Sequence, residues 1–278
     1  MQISAGLVGA LTFLRCPLCA APLHVAEASL RCEHGHGFDV ARQGHVTLLA
    51  PGGKPPAGDD AAMVEARERF LGAGHYEPIA AAVAEAVAAV AAPGCVVEVG
   101  AGTGSYLARA LDAAAEATPA GRVGIALDSS RPALRRAARA DGRIAAVVAD
   151  AWRPLPIRDA AAAAVLCVFA PRAAAELRRI LAPGGALVVV TPTPRHLAEL
   201  VDALGLLSVD ARKPERLARS LGEPLRERIV EAPLELSRED VRALIAMGPS
   251  AHHVDADALA RDARTALSVR VAVYGARV

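Results

Sequence analysis

The chain has 278 residues, of which 53% are hydrophobic and 3% aromatic, and its formal net charge is +1. This composition is typical of a globular protein and excludes a largely disordered chain. The charge excludes a global basic field, so a nucleic acid could be bound only through a local basic patch.

The N-terminal segment contains a short apolar run but neither a basic n-region nor a small-residue cleavage motif. No segment has the roughly 18 uninterrupted apolar residues that a transmembrane helix requires. We therefore expect a cytoplasmic protein without a membrane partner. The cysteine count of five is odd, which argues against a disulfide framework in such a chain.

Potential metal ligands cluster near the N-terminus at Cys16, Cys19, Cys32, His34 and His36. Paired soft ligands at this spacing are typical of tetrahedral zinc, and four protein ligands would make the site structural rather than catalytic. The wider Cys32-x3-His36 turn leaves more room for a metal, whereas an extended segment would bring His34 to the same face as Cys32. The spacing favours His36 and leaves His34 open, within a predicted zinc-binding module over residues 1–50.

Residues 51–93 are predicted to be a linker followed by two helices. The linker, PGGKPPAGDD, is rich in proline and glycine and has no apolar periodicity. Asp59 or Asp60 at its end can N-cap a helix that continues to about Leu71. The segment Glu77–Ala92 predicts the second helix.

From Cys95 onward, strand patterns alternate with helical patterns. The strand patterns are CVVEVG, VGIALD, IAAVVAD, AAVLCVFA and ALVVVTP, and the tail adds RERIVEAPLEL and LSVRVAVYG around the helical pattern SREDVRALIAM. Apolar strands separated by helices predict βαβ units and a buried parallel sheet. We assign residues 94–278 to this third region.

A glycine loop follows the first of these strands. It has the form Gly100-x-Gly102-x-Gly104, and Glu98 precedes it by two residues. The glycines allow a tight turn and a close approach of a ligand to the backbone, and the helix that follows can direct its N–H groups toward the ligand. The dinucleotide fingerprint G-x-G-x-x-G is excluded because position 105 is serine.

Acidic residues end the next two strands. Asp128 ends the second strand, where a carboxylate can hold two ribose hydroxyls. Asp150 ends the third strand, where an acid can accept from an adenine amino group. Either residue alone could equally be a helix cap. The prediction of a ligand site therefore depends on the ordered set, which is the glycine loop followed by Asp128 and then Asp150.

This ordered set, together with the APGG turn at 182–185, resembles the class I S-adenosylmethionine-dependent methyltransferases over about residues 94–192. The resemblance implies a Rossmann-like α/β fold with a seven-stranded sheet whose last strand, Leu267–Tyr274, is antiparallel. It implies S-adenosylmethionine as the cofactor. The implied binding residues are Glu98, Gly100, Ala101, Gly102, Gly104, Asp128, Asp150 and Ala151.

Further segments resemble one subfamily, the 23S rRNA (guanine-N1)-methyltransferases, including the tylosin-resistance type. They are HGFDVARQGHVTLL, DDAAMVEARERFLGAGHYEPI, VFAPR, TPTPRHLAEL and, in the tail, MGPSAHH. The resemblance implies methyl transfer to N1 of a guanine in a 23S rRNA hairpin, which would be the partner, with a homodimer also considered. It implies zinc ligands at Cys16, Cys19, Cys32 and His36.

Catalytic residues are expected in the VFAPR loop after the fourth strand. Phe169 could stack on a base or belong to the core, and Pro171 would stiffen the loop. Arg172 and Arg195 could contact phosphate or the guanine O6, although a solvated arginine is the simpler interpretation. The sequence does not identify the general base.

Residues outside that loop are also candidates for the site. His75 and Glu65 could lie over the cofactor cleft or serve a structural role. Arg15, Arg31 and Arg42 flank the zinc ligands and could contact phosphate. Two other function classes stay open at this point: a small-molecule methyltransferase with a structural zinc module, and a non-catalytic protein that binds the cofactor or RNA.

Overall fold

The computed structural model describes residues 3–49, 58–117, 121–170, 173–204, 219–248 and 256–276. The strands are β1 (Leu23–Ala26), β2 (Ser29–Cys32), β3 (Gly37–Asp39), β4 (His45–Thr47), β5 (Cys95–Val99), β6 (Gly124–Asp128), β7 (Ile144–Val148), β8 (Ala162–Val168), β9 (Leu181–Pro192), β10 (Arg226–Leu236) and β11 (Ala263–Gly275). The helices are α1 (Ala5–Ala10), α2 (Ala61–Gly72), α3 (Glu77–Ala88), α4 (Ser105–Ala117), α5 (Arg131–Ala140), α6 (Ala174–Ile180), α7 (Ala198–Leu204), α8 (Arg238–Ala246) and α9 (Ala256–Leu259).

The large sheet has the strand order β10-β11-β9-β8-β5-β6-β7-β4. Strands β4 to β9 pair in parallel, whereas β11 pairs antiparallel with both β9 and β10. Every residue of β5, β7 and β8 is buried, because apolar clusters cover both faces of the sheet. The predicted α/β class, the seven strands and the antiparallel last strand are confirmed.

An eighth strand, which the sequence analysis did not predict, comes from the N-terminal region. Strand β4 pairs in parallel with β7, and His45 lies opposite Ala146. It covers the edge of β7, whose unpaired backbone groups would otherwise face solvent. The sheet of seven strands is therefore extended by three residues that precede the predicted boundary at residue 50.

The rest of the N-terminal region forms a small antiparallel sheet, β1-β2-β3, and helix α1. A side chain at Gly6 in α1 would lie 2.6 Å from the carbonyl oxygen of Ile144 at the start of β7. Glycine is therefore needed for α1 to approach the large sheet. Past α1, Leu14 forms an antiparallel bridge with Ile157.

The two helices predicted between the linker and the sheet are present. Helix α2 is N-capped by Asp60, whose side chain accepts a hydrogen bond from the Met63 N–H at 2.9 Å. Helix α3 ends at Ala88 instead of Ala92, and the carbonyl of Ala92 accepts a hydrogen bond from Arg122. Among the helices in the described part of the chain, none is long and apolar enough to cross a membrane.

The APGG segment lies within the span of β9 and interrupts its pairing with β8. Ala162 is opposite Leu181, whereas Ala164 is opposite Ala186, so four residues of β9 bulge out between these pairs. Gly184 has a φ of +73°, a conformation that favours glycine. The predicted turn is therefore a bulge that leads into the buried part of β9.

Candidate active site and metal site

Four side chains of the N-terminal region converge on one point, and they are Cys16, Cys19, Cys32 and His36. Their ligand atoms all lie within 4.8 Å of one another. The distance from the Cys32 Sγ to the His36 Nδ1 is 3.3 Å, and that from the Cys19 Sγ to the Cys32 Sγ is 3.7 Å. Tetrahedral zinc with Zn–S bonds of about 2.3 Å would separate its ligands by about 3.8 Å. The four side chains therefore fit zinc, and His34 is outside the group.

Two tight turns bring these ligands together. In the first turn, the Ala20 N–H donates to the Cys16 carbonyl at 2.9 Å. In the second turn, the Gly35 N–H donates to the Cys32 carbonyl at 3.0 Å, and Gly35 has a φ of +82°. Burial disfavours the Cys32 thiolate, but hydrogen bonds from the backbone of His36 and His34 outweigh it and lower the pKa of Cys32 to about 6. A thiol that ionises readily is suited to bind a metal.

A cavity of about 220 Å³ opens at the carboxyl ends of β5 to β8. Its lining includes Gly100, Gly102, Asp128, Ala151, Trp152 and Phe169. Parallel α/β sheets bind ligands at this edge, beside the point where the strand order reverses. Strands β6 and β8 lie on opposite sides of β5, so the cavity lies at that point.

The glycine loop connects β5 to α4 and has positive φ angles at Gly100, Gly102 and Gly104. The Gly102 N–H donates to the Asp128 Oδ2 at 2.8 Å, and the Ser130 N–H donates to the Asp128 Oδ1 at 2.8 Å. Burial raises the pKa of Asp128, and these two hydrogen bonds counteract it. The carboxylate therefore has a fixed orientation and keeps lone pairs for a ligand.

The third glycine of the loop serves packing. A Cβ at Gly104 would lie 3.1 Å from the Cα of Ala137 in α5, so the absence of a side chain lets α4 and α5 approach each other. Ala101 is also buried, and it lines a second cavity of about 50 Å³ that adjoins the first.

Glu98 lies behind the glycine loop and is 1% exposed. Its Oε2 accepts a hydrogen bond from the Leu107 N–H in the first turn of α4 at 3.2 Å. Burial raises the pKa of Glu98 well above its ordinary value, which favours the neutral acid. Glu98 is absent from the lining of both described cavities, so it supports the loop and the start of α4 from inside the protein.

The segment after β7 forms one wall of the larger cavity. The Asp150 Oδ1 accepts a hydrogen bond from the Trp152 N–H at 2.9 Å. Ala149, Ala151 and Trp152 line the cavity, whereas Asp150 lies just outside its lining. Trp152 is 62% exposed and stands at the rim.

Phe169 lies where the two cavities meet and is 38% exposed. Its φ is +53°, which is uncommon for a residue with a side chain and marks strain at functional sites. Its ring stacks on the ring of His196, with the centroids 5.8 Å apart, and it also contacts Tyr76. The other predicted residues of this loop, Pro171 and Arg172, lie outside the described residues.

Arg67 in α2 lines both cavities, although it was not among the site residues predicted from the sequence. Its Nη2 donates to the Asp59 Oδ2 at 2.5 Å and to the Met247 carbonyl at 2.8 Å. Its Nε is buried and has no hydrogen-bond partner among the described residues. A buried guanidinium N–H without an acceptor is suited to bind an anionic group of a ligand.

A signal for Arg67 is present in the sequence. Met63, Val64 and Phe70 form the buried face of α2, and Arg67 lies three or four residues from each of them. An arginine within the apolar stripe of an amphipathic helix points toward the protein interior. Glu65, which the sequence analysis weighed, lies on the exposed face.

The rings of His196 and Tyr76 pack against the ring of Phe169. The His196 Nδ1 accepts from the Ser268 N–H at 3.2 Å, so its Nε2 carries the proton and donates to the Tyr76 Oη at 3.2 Å. Burial lowers the pKa of His196 to about 4 and raises the pKa of Tyr76. Both groups are therefore neutral at pH 7 and hold the aromatic cluster in place.

Two other candidate site residues, His75 and Arg195, have partners away from these two cavities. The His75 Nε2 lies 3.1 Å from the Asp240 Oδ1, and His75 is absent from the lining of both described cavities. Arg195 is exposed and lies 3.3 Å from Glu231.

Comparisons with known proteins agree with both sites. The family model described as "RlmA, N-terminal", a zinc ribbon, matches residues 14–54, and a methyltransferase domain model matches residues 96–185. The chain is 51% identical over 255 residues to the 23S rRNA (guanine(748)-N1)-methyltransferase of Streptomyces fradiae, covering 90% of this chain and 89% of that protein.

Two further relatives bear related descriptions as 23S rRNA (guanine-N1)-methyltransferases. One, from Micromonospora griseorubida, is 51% identical over 267 residues, which cover 88% of each chain. The other, YxjB of Bacillus subtilis, is 33% identical over 197 residues, which cover 68% of this chain and 67% of that protein.

Proposed function

The chain belongs to the family of 23S rRNA (guanine-N1)-methyltransferases, and we propose that it transfers a methyl group from S-adenosylmethionine to N1 of a guanine in a 23S rRNA hairpin loop. The position of Phe169 at the junction of the two cavities carries the proposal. An exposed aromatic ring at this point offers a stacking surface for an unpaired base beside the methyl donor.

The larger cavity accounts for the nucleoside part of the cofactor. Asp128 would accept hydrogen bonds from the ribose hydroxyls, through the lone pairs that Gly102 and Ser130 leave free. Ala151 and Trp152, which line one wall of the cavity, would contact the adenine. Asp150, which follows β7, would accept from the adenine amino group.

The smaller cavity accounts for the methionine part. Arg67 would bind the carboxylate through its Nε, which has no protein acceptor in the described part of the chain. Gly100, Ala101 and Gly102 let the ligand approach the backbone closely. Glu98 and Gly104 act indirectly, because they hold the loop and α4 in position.

Bound S-adenosylmethionine supplies a methyl group that is already activated by its positively charged sulfur. The residues of the chain have to orient the guanine so that N1 faces that carbon, and Phe169 is the residue that does so. N1 loses its proton during the reaction. His196 is not the acceptor, since both of its ring nitrogens are engaged, so we assign the proton to solvent at the cavity mouth. Pro171 stays a prediction for stiffening this loop.

The substrate guanine is the one at position 748, for which the Streptomyces fradiae relative is named. Identity of 51% over nearly the whole length of both chains supports this assignment. Macrolide resistance of the tylosin type is the physiological consequence that the sequence resemblance implies.

The test uses labelled S-adenosylmethionine and unmethylated 23S rRNA. We expect label in the RNA and a primer-extension stop at guanine 748, because N1-methylation blocks Watson–Crick pairing. Label in the RNA with a stop at a neighbouring guanine would correct the position. Unlabelled RNA would overturn the proposed activity and favour a small-molecule methyltransferase with a structural zinc module.

The partner of the protein is the 23S rRNA hairpin, and the reaction takes place in the cytoplasm, where ribosomal RNA is made in bacteria. The N-terminal region that carries the zinc ligands, here called the zinc region, contributes to RNA binding through its exposed arginines Arg31 and Arg42. Arg15 is less suited to this role, because it pairs with Asp159 at 3.3 Å. A homodimer stays a prediction, which light scattering coupled to size-exclusion chromatography measures.

A further inference from the structure

Helix α5 carries a high density of positive charge. Its sequence, RPALRRAARA, contains four arginines and no acidic residue, and all four are exposed. Arg131, Arg135 and Arg139 recur every four residues, so they lie on one face of the helix and extend over about 12 Å along its axis. We call these three residues the arginine stripe.

The folded chain makes little use of this charge. Like charges four residues apart in a helix repel each other and destabilise it. Arg136, beside the stripe, pairs with Glu68 at 3.4 Å, whereas the three residues of the stripe have no ion pair with any described residue. The acid that follows the helix, Asp141, is engaged by Arg143. The stripe therefore presents cationic groups to solvent at a cost to the helix.

The stripe connects the cofactor cavity to the N-terminal region. Arg131 is two residues from Ser129, which lines the cavity. Toward the other end of the helix, a Cβ at Gly44 would lie 3.4 Å from the Cβ of Ala138, so the turn that contains Gly44 packs against α5. The exposed Arg42 belongs to the same turn and continues the stripe into the N-terminal region.

The buried His45 on β4 shows how close the two regions are. Burial lowers its pKa, and the positive charges of Arg135 and Arg131 lower it further. The side chains of the stripe therefore lie within electrostatic reach of a strand that the N-terminal region contributes.

We propose that the arginine stripe, extended by Arg42, is a docking surface for the phosphate backbone of the RNA substrate. This inference rests on the proposed function. The chain has a net charge of only +1, so a local patch has to supply the attraction to RNA. Arginine–phosphate contacts fix the orientation of a nucleic acid without reading its sequence. A backbone held along α5 would approach the cavity at the Arg131 end, while the hairpin loop reaches Phe169.

The experiment compares two triple variants of the full-length protein with zinc bound. The test variant is Arg131→Gln, Arg135→Gln and Arg139→Gln. The matched control is Arg228→Gln, Arg242→Gln and Arg264→Gln, which removes the same charge from α8 and from β10 and β11, the two strands at the sheet edge opposite β4. For each, the Kd for the 23S hairpin RNA is measured over a range of KCl concentrations, and the Kd for S-adenosylmethionine is measured by calorimetry.

We expect the slope of log Kd against log salt to decrease by about 2–3 in the test variant, since each phosphate contact contributes about 0.7–0.9. The control should keep the wild-type slope. Because the stripe is repulsive in the free protein, the melting temperature of the test variant should be unchanged or raised, with cofactor affinity retained. If the triple variant does not fold, the single variant Arg135→Gln should still lower the slope by about 0.7–0.9.

The outcomes separate this inference from the proposed function. Wild-type protein that methylates the hairpin, together with a test variant that keeps the full salt slope, would overturn the docking surface alone. An equal loss of slope in test and control would also overturn it, because net charge would then be the cause. Wild-type protein that neither binds nor methylates the RNA would overturn the proposed function and the docking surface together.

Discussion

The zinc region and the large sheet maintain their structures by different means. Strands β5, β7 and β8 are buried at every position, so burial of apolar surface holds the sheet together. Strands β1, β2 and β3 have three or four residues each, and each strand includes exposed residues, so they bury too little surface to be stable alone. Metal binding therefore supplies the folding free energy in the N-terminal region that burial of apolar surface supplies in the sheet.

The two regions are nevertheless joined on both sides of the segment after β7, which forms one wall of the larger cavity. On the N-terminal side of this segment, β4 pairs with β7. On its C-terminal side, the Arg15 N–H donates to the Pro156 carbonyl at 3.0 Å, and the Arg158 N–H donates to the Phe13 carbonyl at 2.8 Å. The segment with Asp150 and Trp152 lies between these two connections. Loss of order in the zinc region should therefore reach the cofactor site.

The largest expected effect tests this connection through the variant Cys32→Ser. It removes a ligand from the cluster, and apparent zinc-binding free energies of such sites are about 10–16 kcal/mol. We expect loss of bound zinc, loss of RNA binding and an increased Kd for S-adenosylmethionine. Elemental analysis and calorimetry measure these quantities.

The matched control for this experiment is His34→Ala, because His34 is outside the ligand cluster and should retain zinc. A Cys32→Ser protein without zinc that binds S-adenosylmethionine with wild-type affinity would show that the two regions are energetically independent.

A smaller effect is expected from Asp128→Asn, which acts on the sheet region alone. Asparagine keeps the shape but loses the charged carboxylate that accepts from the Gly102 N–H and that we propose to accept from the ribose hydroxyls. Hydrogen bonds to charged groups contribute about 1.5–3 kcal/mol, so the affinity for S-adenosylmethionine should decrease by about one to two orders of magnitude. Zinc content should not change. The control, Asp141→Asn, replaces an acid that pairs with Arg143 away from the cavity and should keep the cofactor affinity.

A comparable or somewhat smaller effect is expected from Arg67→Gln. The loss of the guanidinium should weaken S-adenosylmethionine binding by about tenfold, which corresponds to the lower end of the range for charged hydrogen bonds. S-adenosylmethionine without its carboxylate should be bound equally by variant and wild type. The exposed Arg69 on the same helix provides the control Arg69→Gln. Equal losses for the intact and the decarboxylated ligand would exclude the carboxylate contact.

Much of the sheet was predictable because its strands are continuous apolar runs, such as CVVEVG, between helical patterns. The strand β4 was not, because His45–Thr47 has three residues and no detectable period. Its formation depends on the open edge of β7, which is about a hundred residues away in the sequence and becomes visible only in the folded chain.

The candidate sites show the same limits. Spacing predicted the metal cluster and favoured His36, because both depend on local turns. The resemblance implies that Glu98 binds the cofactor, and this stays a prediction, but sequence distance does not reveal the hydrogen bond that its side chain accepts from the Leu107 N–H in α4. Arg67 lies in the segment DDAAMVEARERFLGAGHYEPI, which indicates the family but assigns no role to this arginine, although its position in the apolar stripe of α2 is visible in the sequence. The partners of Phe169 come from two distant segments, which no local pattern connects.

The last expected effect concerns stability instead of ligand binding, and it separates the two regions by pH. Burial lowers the pKa of His196 to about 4 in the folded chain, below the ordinary value of 6.5. Between these values the unfolded chain binds more protons, so the free energy of unfolding should decrease by at most about 1.4 kcal/mol per unit as the pH falls from 6.5 toward 4. Acid also protonates the zinc ligands, so the total loss combines both regions.

The variant His196→Gln removes the titration of His196 in the sheet region and leaves the zinc ligands unchanged. Glutamine can still accept from the Ser268 N–H and donate to Tyr76, but it does not titrate. Its unfolding free energy, measured by urea titration at several pH values, should therefore decrease less steeply between pH 6.5 and 4 than that of the wild type, while zinc release follows the same pH curve. Identical pH slopes for variant and wild type would mean that His196 is protonated in the folded chain, and that acid acts on this protein through the zinc region alone.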